Sequence, residues 1–176
     1  MDNRKKQIRF LVEAGLIGAL YAVLTYASSL WGLAYGEIQF RISEALTILP
    51  VFTPAAIPGL VVGCFLGNLG SPFGMADILC GTFATLIASV MTYAVRKIRV
   101  KNVPYLAPLA PVLANALIVG LEISWFMPEG LSWAGFAMSA LSVGLGELVI
   151  CYGLGLPLAA LMERTGLAGR LAVSLK

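Results

Sequence analysis

Apart from Arg41, the lysines and arginines of this chain fall in three short clusters separated by long apolar runs, a pattern that leaves few folds open. Arg4, Lys5, Lys6 and Arg9 come first, then Arg96, Lys97, Arg99 and Lys101, then Arg164, Arg170 and Lys176. Between the clusters apolar residues dominate: 59% of the 176 residues are hydrophobic and only 12% charged, against about 25% charged in a soluble domain. So few charges do not wet the surface of a globular enzyme. The chain has no histidine, which removes histidine triads, HExxH metal sites and every imidazole base. The formal charge of +3 comes from the clusters, and no nucleic-acid partner is expected. Cys64, Cys80 and Cys151 sit singly in apolar runs, without metal-ligand spacing. Neither a disulfide, a metal nor a cofactor is expected.

A spanning helix needs about 20 largely apolar residues. The sequence predicts six spans, over residues 11–31, 42–52, 54–69, 75–95, 105–126 and 133–162. The first is longer than a signal-peptide core and lacks a cleavage-site pattern. The second and third are short and are divided at Thr53-Pro54, where proline cannot continue a helix. The sixth is long enough to be tilted or to begin outside the bilayer. With six crossings all three basic clusters fall on one side; with five they do not. The positive-inside rule then places both termini in the cytoplasm. The expectation is an all-α, multi-pass integral protein of a bacterial plasma membrane, with residues 1–176 forming one transmembrane substrate-binding domain.

Acidic residues have the opposite distribution. Glu37, Glu44, Asp77, Glu122, Glu129 and Glu147 lie in the spans or outer loops, with Arg41 the lone base among them. Ionisable groups inside spans are costly and usually face a cavity or a partner. Glu37 and Glu129, in loops, read as solvated ends, whereas Glu122 and Glu147 read as functional. Asn115 and Glu122 are seven apart and share a helix face. Arg41 and Glu44, three apart, can form an ion pair if their helix begins near Phe40; a structural staple and a binding role are both open. Asn68 and Asp77 flank the turn between the third and fourth spans. Together these groups suggest an outward pocket of amides and carboxylates.

Trp31, Tyr35, Phe73, Trp125, Phe126 and Trp133 gather at the same level. An interfacial belt accounts for at least two of the tryptophans, and a planar ligand would find stacking partners among the rest. Small residues recur as Ala14, Gly18 and Ala22 on the first span, Gly59, Gly63 and Gly67 on the third, and Ala140 and Gly144 on the sixth. Such stripes let helices approach closely. Internal packing explains the latter two; the first is a candidate docking surface for another membrane subunit. A Walker A sequence is missing, so the chain does not hydrolyse ATP itself. Nor do paired mid-span carboxylates recur as in an ion relay, and uptake driven by a partner is the better expectation.

Six helices with both ends inside, a small-residue first helix and an outward polar pocket resemble the S-component of an energy-coupling-factor (ECF) transporter. The strings GEIQFRISEALTILP (36–50), PGLVVGCFLGNL (58–69) and DILCGTFATL (77–86) narrow this to a resemblance with the QueT family of queuosine-precursor transporters. The resemblance implies an S-component bundle partnered by a transmembrane coupling subunit and two cytoplasmic ATPases, which topples in the membrane to release its cargo. It implies a 7-deazaguanine substrate, preQ1 or queuine, each with an amine that is cationic at neutral pH. Thiamine or riboflavin S-components are the rivals within the class. A membrane-embedded lipid enzyme is a rival outside it, but needs a DxxxD-like cluster that is missing; an oligomeric channel is another.

For such a ligand, one carboxylate accepts the paired ring N–H donors while an amide donates to the ring oxygen. Glu122 with Asn115 fits the ring edge, and Glu147 or Asp77 fits the amine. Glu44, oriented by Arg41, is an alternative for either task, with Gln39 as a further amide donor. Trp125 or Trp31 would cover the ring face.

Overall fold

The computed structural model describes residues 3–35, 40–128 and 130–172, and all its regular elements are helical. They are α1 (Asn3–Leu30), a 3₁₀ helix (Ile42–Val51), α2 (Ala56–Asn68), α3 (Met75–Val95), α4 (Leu109–Trp125) and α5 (Trp133–Ile150). A π turn (Cys151–Gly155) carries α5 into α6 (Leu156–Arg164), and α7 (Leu167–Ala172) follows. Three stretches are long and apolar enough to cross a membrane: Asn3–Leu30, Met75–Val95 and Trp133–Arg164. The other three apolar helices, Ile42–Val51, Ala56–Asn68 and Leu109–Trp125, are shorter.

Helix ends follow local chemistry. Past the end of α1, Leu33 N–H donates to Ser28 O and Gly32 N–H to Ser29 O, with Gly32 at φ +70°. That is a Schellman cap, and glycine takes its left-handed position without strain. Ser132 caps α5 by accepting from Gly135 N–H at 3.0 Å. The interruption expected at Thr53-Pro54 is present. The π turn precedes Pro157, whose missing N–H removes one helical hydrogen bond.

The second element departs from expectation, since its ten residues form a 3₁₀ helix. The rise of ~2.0 Å per residue lets them reach about 20 Å, where an α-helix would reach about 15 Å. Nine of the ten, Ser43 to Val51, are buried. This helix packs against α1, α2, α3, α5, the π turn and α6, and so forms the axis of the bundle.

Pairings along the chain alternate in direction. Thr25–Ser43 and Glu13–Thr53 set the 3₁₀ helix antiparallel to α1. Ala14 meets Gly59 and Gly18 meets Gly63, so α2 runs parallel to α1. Asn68 meets Asp77 and Gly81 on α3, Thr92 meets Ala107 before α4, and Asn115 meets Glu147 on α5. Among the described residues, successive helical stretches therefore run up and down in turn. All three basic clusters have members at one end: Arg9 bonds Glu13 beside Thr53, while Arg99 lies 6.0 Å from the Phe52 ring and pairs with Glu163, next to Arg164. The aromatic group is at the other end, where Phe73 and Phe126 have ring centroids 6.3 Å apart.

The small-residue stripe of α1 is filled from inside, which corrects the expectation that Ala14, Gly18 and Ala22 form a docking surface. Gly18 and Ala22 are buried. A methyl at Gly18 would lie 2.9 Å from Gly59 O, and one at Gly59 would lie 2.7 Å from Ala14 O. The stripe is half of a zipper whose other half is Gly59, Gly63 and Gly67. Gly120 makes a similar approach to Ala140 and Gly144 to Ala116, which closes α4 onto α5.

Gly63→Ala would place its methyl 2.7 Å from Gly18 O and 2.8 Å from Tyr21 Cβ. Overpacking of this kind costs about 1–3 kcal/mol, which corresponds to roughly 3–10 °C in the melting temperature of the purified protein. Gly15→Ala, which meets open space, should leave the melting temperature unchanged. Equal melting temperatures for the two variants would contradict the zipper.

Candidate functional site

The buried polar groups form three clusters, two of them on the 3₁₀ helix and one between α3 and α4. The outermost is built on Arg41. Its Nε donates to Ala34 O at 2.8 Å, Nη1 to Asn68 Oδ1 at 3.0 Å, and Nη2 lies 3.3 Å from Asp77 Oδ2. Tyr35 covers the guanidinium at 5.1 Å and donates from its hydroxyl to Gly67 O at 2.6 Å. Asn68 Nδ2 donates in turn to Asp77 O at 2.9 Å. Arg41, Asn68 and Asp77 are 5%, 1% and 1% exposed, so the cluster is closed on itself. The expected Arg41–Glu44 pair is corrected to Arg41–Asp77. Arg41 stands outside the helix as its N-cap, in an extended conformation (φ −81°, ψ 107°), and α3 supplies a carboxylate opposite the guanidinium. Asp77 is correspondingly engaged by Arg41 and is not a free acceptor for an amine.

The second cluster centres on Glu44. Its Oε1 accepts from the Tyr21 hydroxyl, while Thr25 donates to Ser43 Oγ at 2.8 Å beside it. Glu44 Oε2 has no partner although the residue is only 3% exposed. Thr47 donates to Glu44 O at 2.6 Å and lies 3.8 Å from Cys151 Sγ. Cys151 donates to Glu147 Oε2 at 3.3 Å, and Asn115 Nδ2 donates to Glu147 Oε1 at 2.8 Å. Asn115 and Glu122 share the buried face of α4, and the amide N–H₂ of Asn115 donates to Glu147.

The third element is Glu122, 7% exposed, on the wall of a cleft of about 570 Å³ between α3 and α4. Ala76, Cys80, Leu117, Ile118 and Leu121 line the cleft, with Trp125 and Phe126 at the outer end of α4. Cys80 lines the same cleft, and Glu122 Oε2 has no partner. The hydroxyls of Thr82, Ser124 and Ser139 are also buried and unpaired; a carboxylate oxygen in that position is the costlier case. Trp125 is 66% exposed and reaches the cleft. Trp31 and Trp133 are 70% and 88% exposed. Gln39, Glu37 and Glu129 lie outside the described residues.

Sequence reading passed over Tyr21, Thr25 and Ser28, although their spacing of four and three marks one polar stripe within an apolar helix. It also passed over Glu13, which accepts from Arg9 at 2.8 Å and from Thr53 at 3.2 Å at the basic end. Cys151 carries polar contacts that a singly placed cysteine does not announce.

Comparison with known proteins adds to this geometry. A family model described as QueT transporter matches residues 11–164. The chain belongs to the QueT transporter family. The queuosine precursor transporter QueT of Lactococcus lactis subsp. cremoris (strain MG1363) is 33% identical over 84 residues, 48% of this chain and 49% of that protein. The chain thus spans about half the length of the curated relative it matches. No solved structure matches. Membership agrees with the apolar spans and makes this a helical membrane protein of a transporter family.

Proposed function

We propose that the chain is the substrate-binding S-component of an ECF-type importer and binds a queuosine precursor, preQ1 or queuine, from the outer side. The observation that carries this reading is Glu122: a buried carboxylate with a free oxygen, on the wall of an apolar cleft with aromatic residues at its outer end. An unpartnered acid inside a membrane protein is costly unless a ligand completes it. A deazaguanine ring brings two adjacent N–H donors for the carboxylate and a flat face for Trp125. Family membership and the name of the Lactococcus relative support the ligand class.

In this reading residues 1–176 form one transmembrane domain with six crossings and both termini in the cytoplasm. The alternating passes and the gathering of the basic clusters at one end support it. The short 3₁₀ helix runs inside the bundle, where protein and not lipid surrounds it, while α2 packs on α1 and presents Val62, Phe65 and Leu66 outward. The chain is not an enzyme; two cytoplasmic ATPases and a transmembrane coupling subunit supply the driving force. With the Ala14–Gly18–Ala22 stripe filled by α2, the coupling subunit meets the exposed face of α1 that carries Val12, Leu16 and Val23. Arg41, Asn68 and Asp77 brace the outer end of the site.

Losing one partner from a buried, charge-assisted contact costs about 2–5 kcal/mol, roughly 30-fold or more in affinity. Purified protein is expected to bind preQ1 saturably, and Glu122→Gln to weaken that binding by at least this factor. Glu163→Gln, at the opposite end, should leave it unchanged. Absence of saturable binding would refute the proposal, and normal binding by Glu122→Gln would refute the assignment. For topology, a cysteine at Pro128 should react with an impermeant reagent on intact cells and one at Lys101 should not. Labelling of Lys101 from outside would overturn the six crossings.

A further inference from the structure

The segment that joins α3 to α4 carries the basic cluster Arg96, Lys97, Arg99 and Lys101, and no part of the cleft at Glu122 uses it. Val100 and Val103 exchange both backbone hydrogen bonds at 3.0 Å, which closes a two-residue hairpin over Lys101 and Asn102. Both central residues have positive φ, +51° and +66°, the pattern of a type I′ turn. Among the described residues these are the only non-glycine residues with positive φ. Asn-Gly suits such a turn; asparagine tolerates the left-handed conformation, whereas lysine is strained in it.

The strained tip is held from three sides. Arg99 Nη1 donates to Asn102 O at 3.2 Å, and the same guanidinium pairs with Glu163 on α6. The Tyr152 hydroxyl, on the π turn, donates to Tyr105 O at 2.9 Å. Thr92, in the last turns of α3, donates to Ala107 O at 3.3 Å. Strain of this kind persists only where surrounding contacts enforce it, and it gathers at functional positions.

The hairpin presents two kinds of side chain. Arg96 lies 3.6 Å over the Tyr93 ring and Arg99 is paired. Lys97 and Lys101 are exposed and have no ion-pair partner among the described residues. Between and beside them Ile98, Val100, Tyr105 and Leu106 are 44% to 56% exposed. This mixed surface directly follows a stretch able to cross the membrane, Met75–Val95. Apolar side chains there enter between lipid headgroups, tyrosine sits at their level, and lysines reach the phosphates. Juxtamembrane lysines are drawn to anionic lipid, whereas lysine is depleted from protein–protein interfaces.

We propose that the hairpin of residues 96–106 is a docking surface for an anionic phospholipid of the adjacent leaflet. Lys97 and Lys101 meet the headgroup phosphate, and Ile98, Val100 and Leu106 lie against the upper part of the acyl chains. The rigid turn keeps the Lys101 backbone at the tip, where the headgroups are. The surface lies at the basic end of the bundle and does not depend on the ligand proposed above.

The test is native mass spectrometry of the purified full chain in detergent, with dioleoyl phosphatidylglycerol or dioleoyl phosphatidylcholine added. Wild type is expected to bind the anionic lipid at least about 10-fold more tightly. The double variant Lys97→Gln, Lys101→Asn removes both charges and places at the tip a residue that tolerates the turn. It should weaken phosphatidylglycerol binding by about 25-fold, roughly fivefold for each lysine, and leave phosphatidylcholine unchanged. Lys5→Gln with Arg164→Gln removes the same charge from the other two basic clusters and should change neither lipid. Equal wild-type affinities for the two lipids would overturn the proposal and leave the hairpin to a protein partner; that comparison needs no variant to fold. Equal losses in the two double variants would also overturn it, because the attraction would then belong to the whole basic end.

Discussion

The buried guanidinium of Arg41 ties together three separate parts of the chain. It joins the loop after α1 at Ala34 O, the end of α2 at Asn68 and the start of α3 at Asp77. Removing a charge of this kind from water costs several kcal/mol, which is recovered only when its donors are matched by good acceptors. Here the Nε, Nη1 and Nη2 donors are matched and the Tyr35 ring covers the guanidinium plane. The same contacts fix the start of the 3₁₀ helix, and with it the inward placement of Glu44 three residues later. Position of the acid is thus a consequence of the outer ion pair.

Much of the fold was legible because membrane folding is governed by one-dimensional quantities. Apolar length and the break at Thr53-Pro54 locate the 3₁₀ helix, α2, α3 and α5 within a few residues, whereas α1 begins at Asn3, eight residues before the expected start, because its first turns carry the basic cluster. The 3₁₀ form of the second pass was not legible, since it depends on the distance the chain must cover inside an assembled bundle. Partner choice was likewise hidden. Arg41 and Asp77 are 36 positions apart and Tyr21 and Glu44 are 23 apart, so spacing along one helix favoured the wrong partner, Glu44. The stripe at Gly18 could be read as a face for another subunit or for α2, and only the facing glycines of α2 decide between them. The buried acids were recognisable individually, and their division into an engaged Asp77 and the free oxygens of Glu44 and Glu122 required three-dimensional contacts.

The polar interior is graded along the bundle. At the outer end charge is neutralised within the protein by Arg41 and Asp77. Further in, Glu122, Glu44 and Glu147 are carboxyl groups without a paired protein cation, and two of them retain an oxygen with no donor. A protein that needed only stability would gain by replacing such groups with apolar ones. Their retention in a core otherwise closed by glycine zippers fits a transporter-family protein whose interior is completed by a cationic guest.

The central claim is that the Arg41–Asp77 pair holds the outer end of this interior in place. A double-mutant cycle on the purified protein tests it most directly, with Arg41→Met, Asp77→Asn and the double variant compared by thermal unfolding. Each single change is expected to destabilise by about 3–5 kcal/mol, and the double change by clearly less than the sum, because the second removal relieves an uncompensated charge. Single effects within about 0.5 kcal/mol of wild type, or strictly additive losses, would contradict the account.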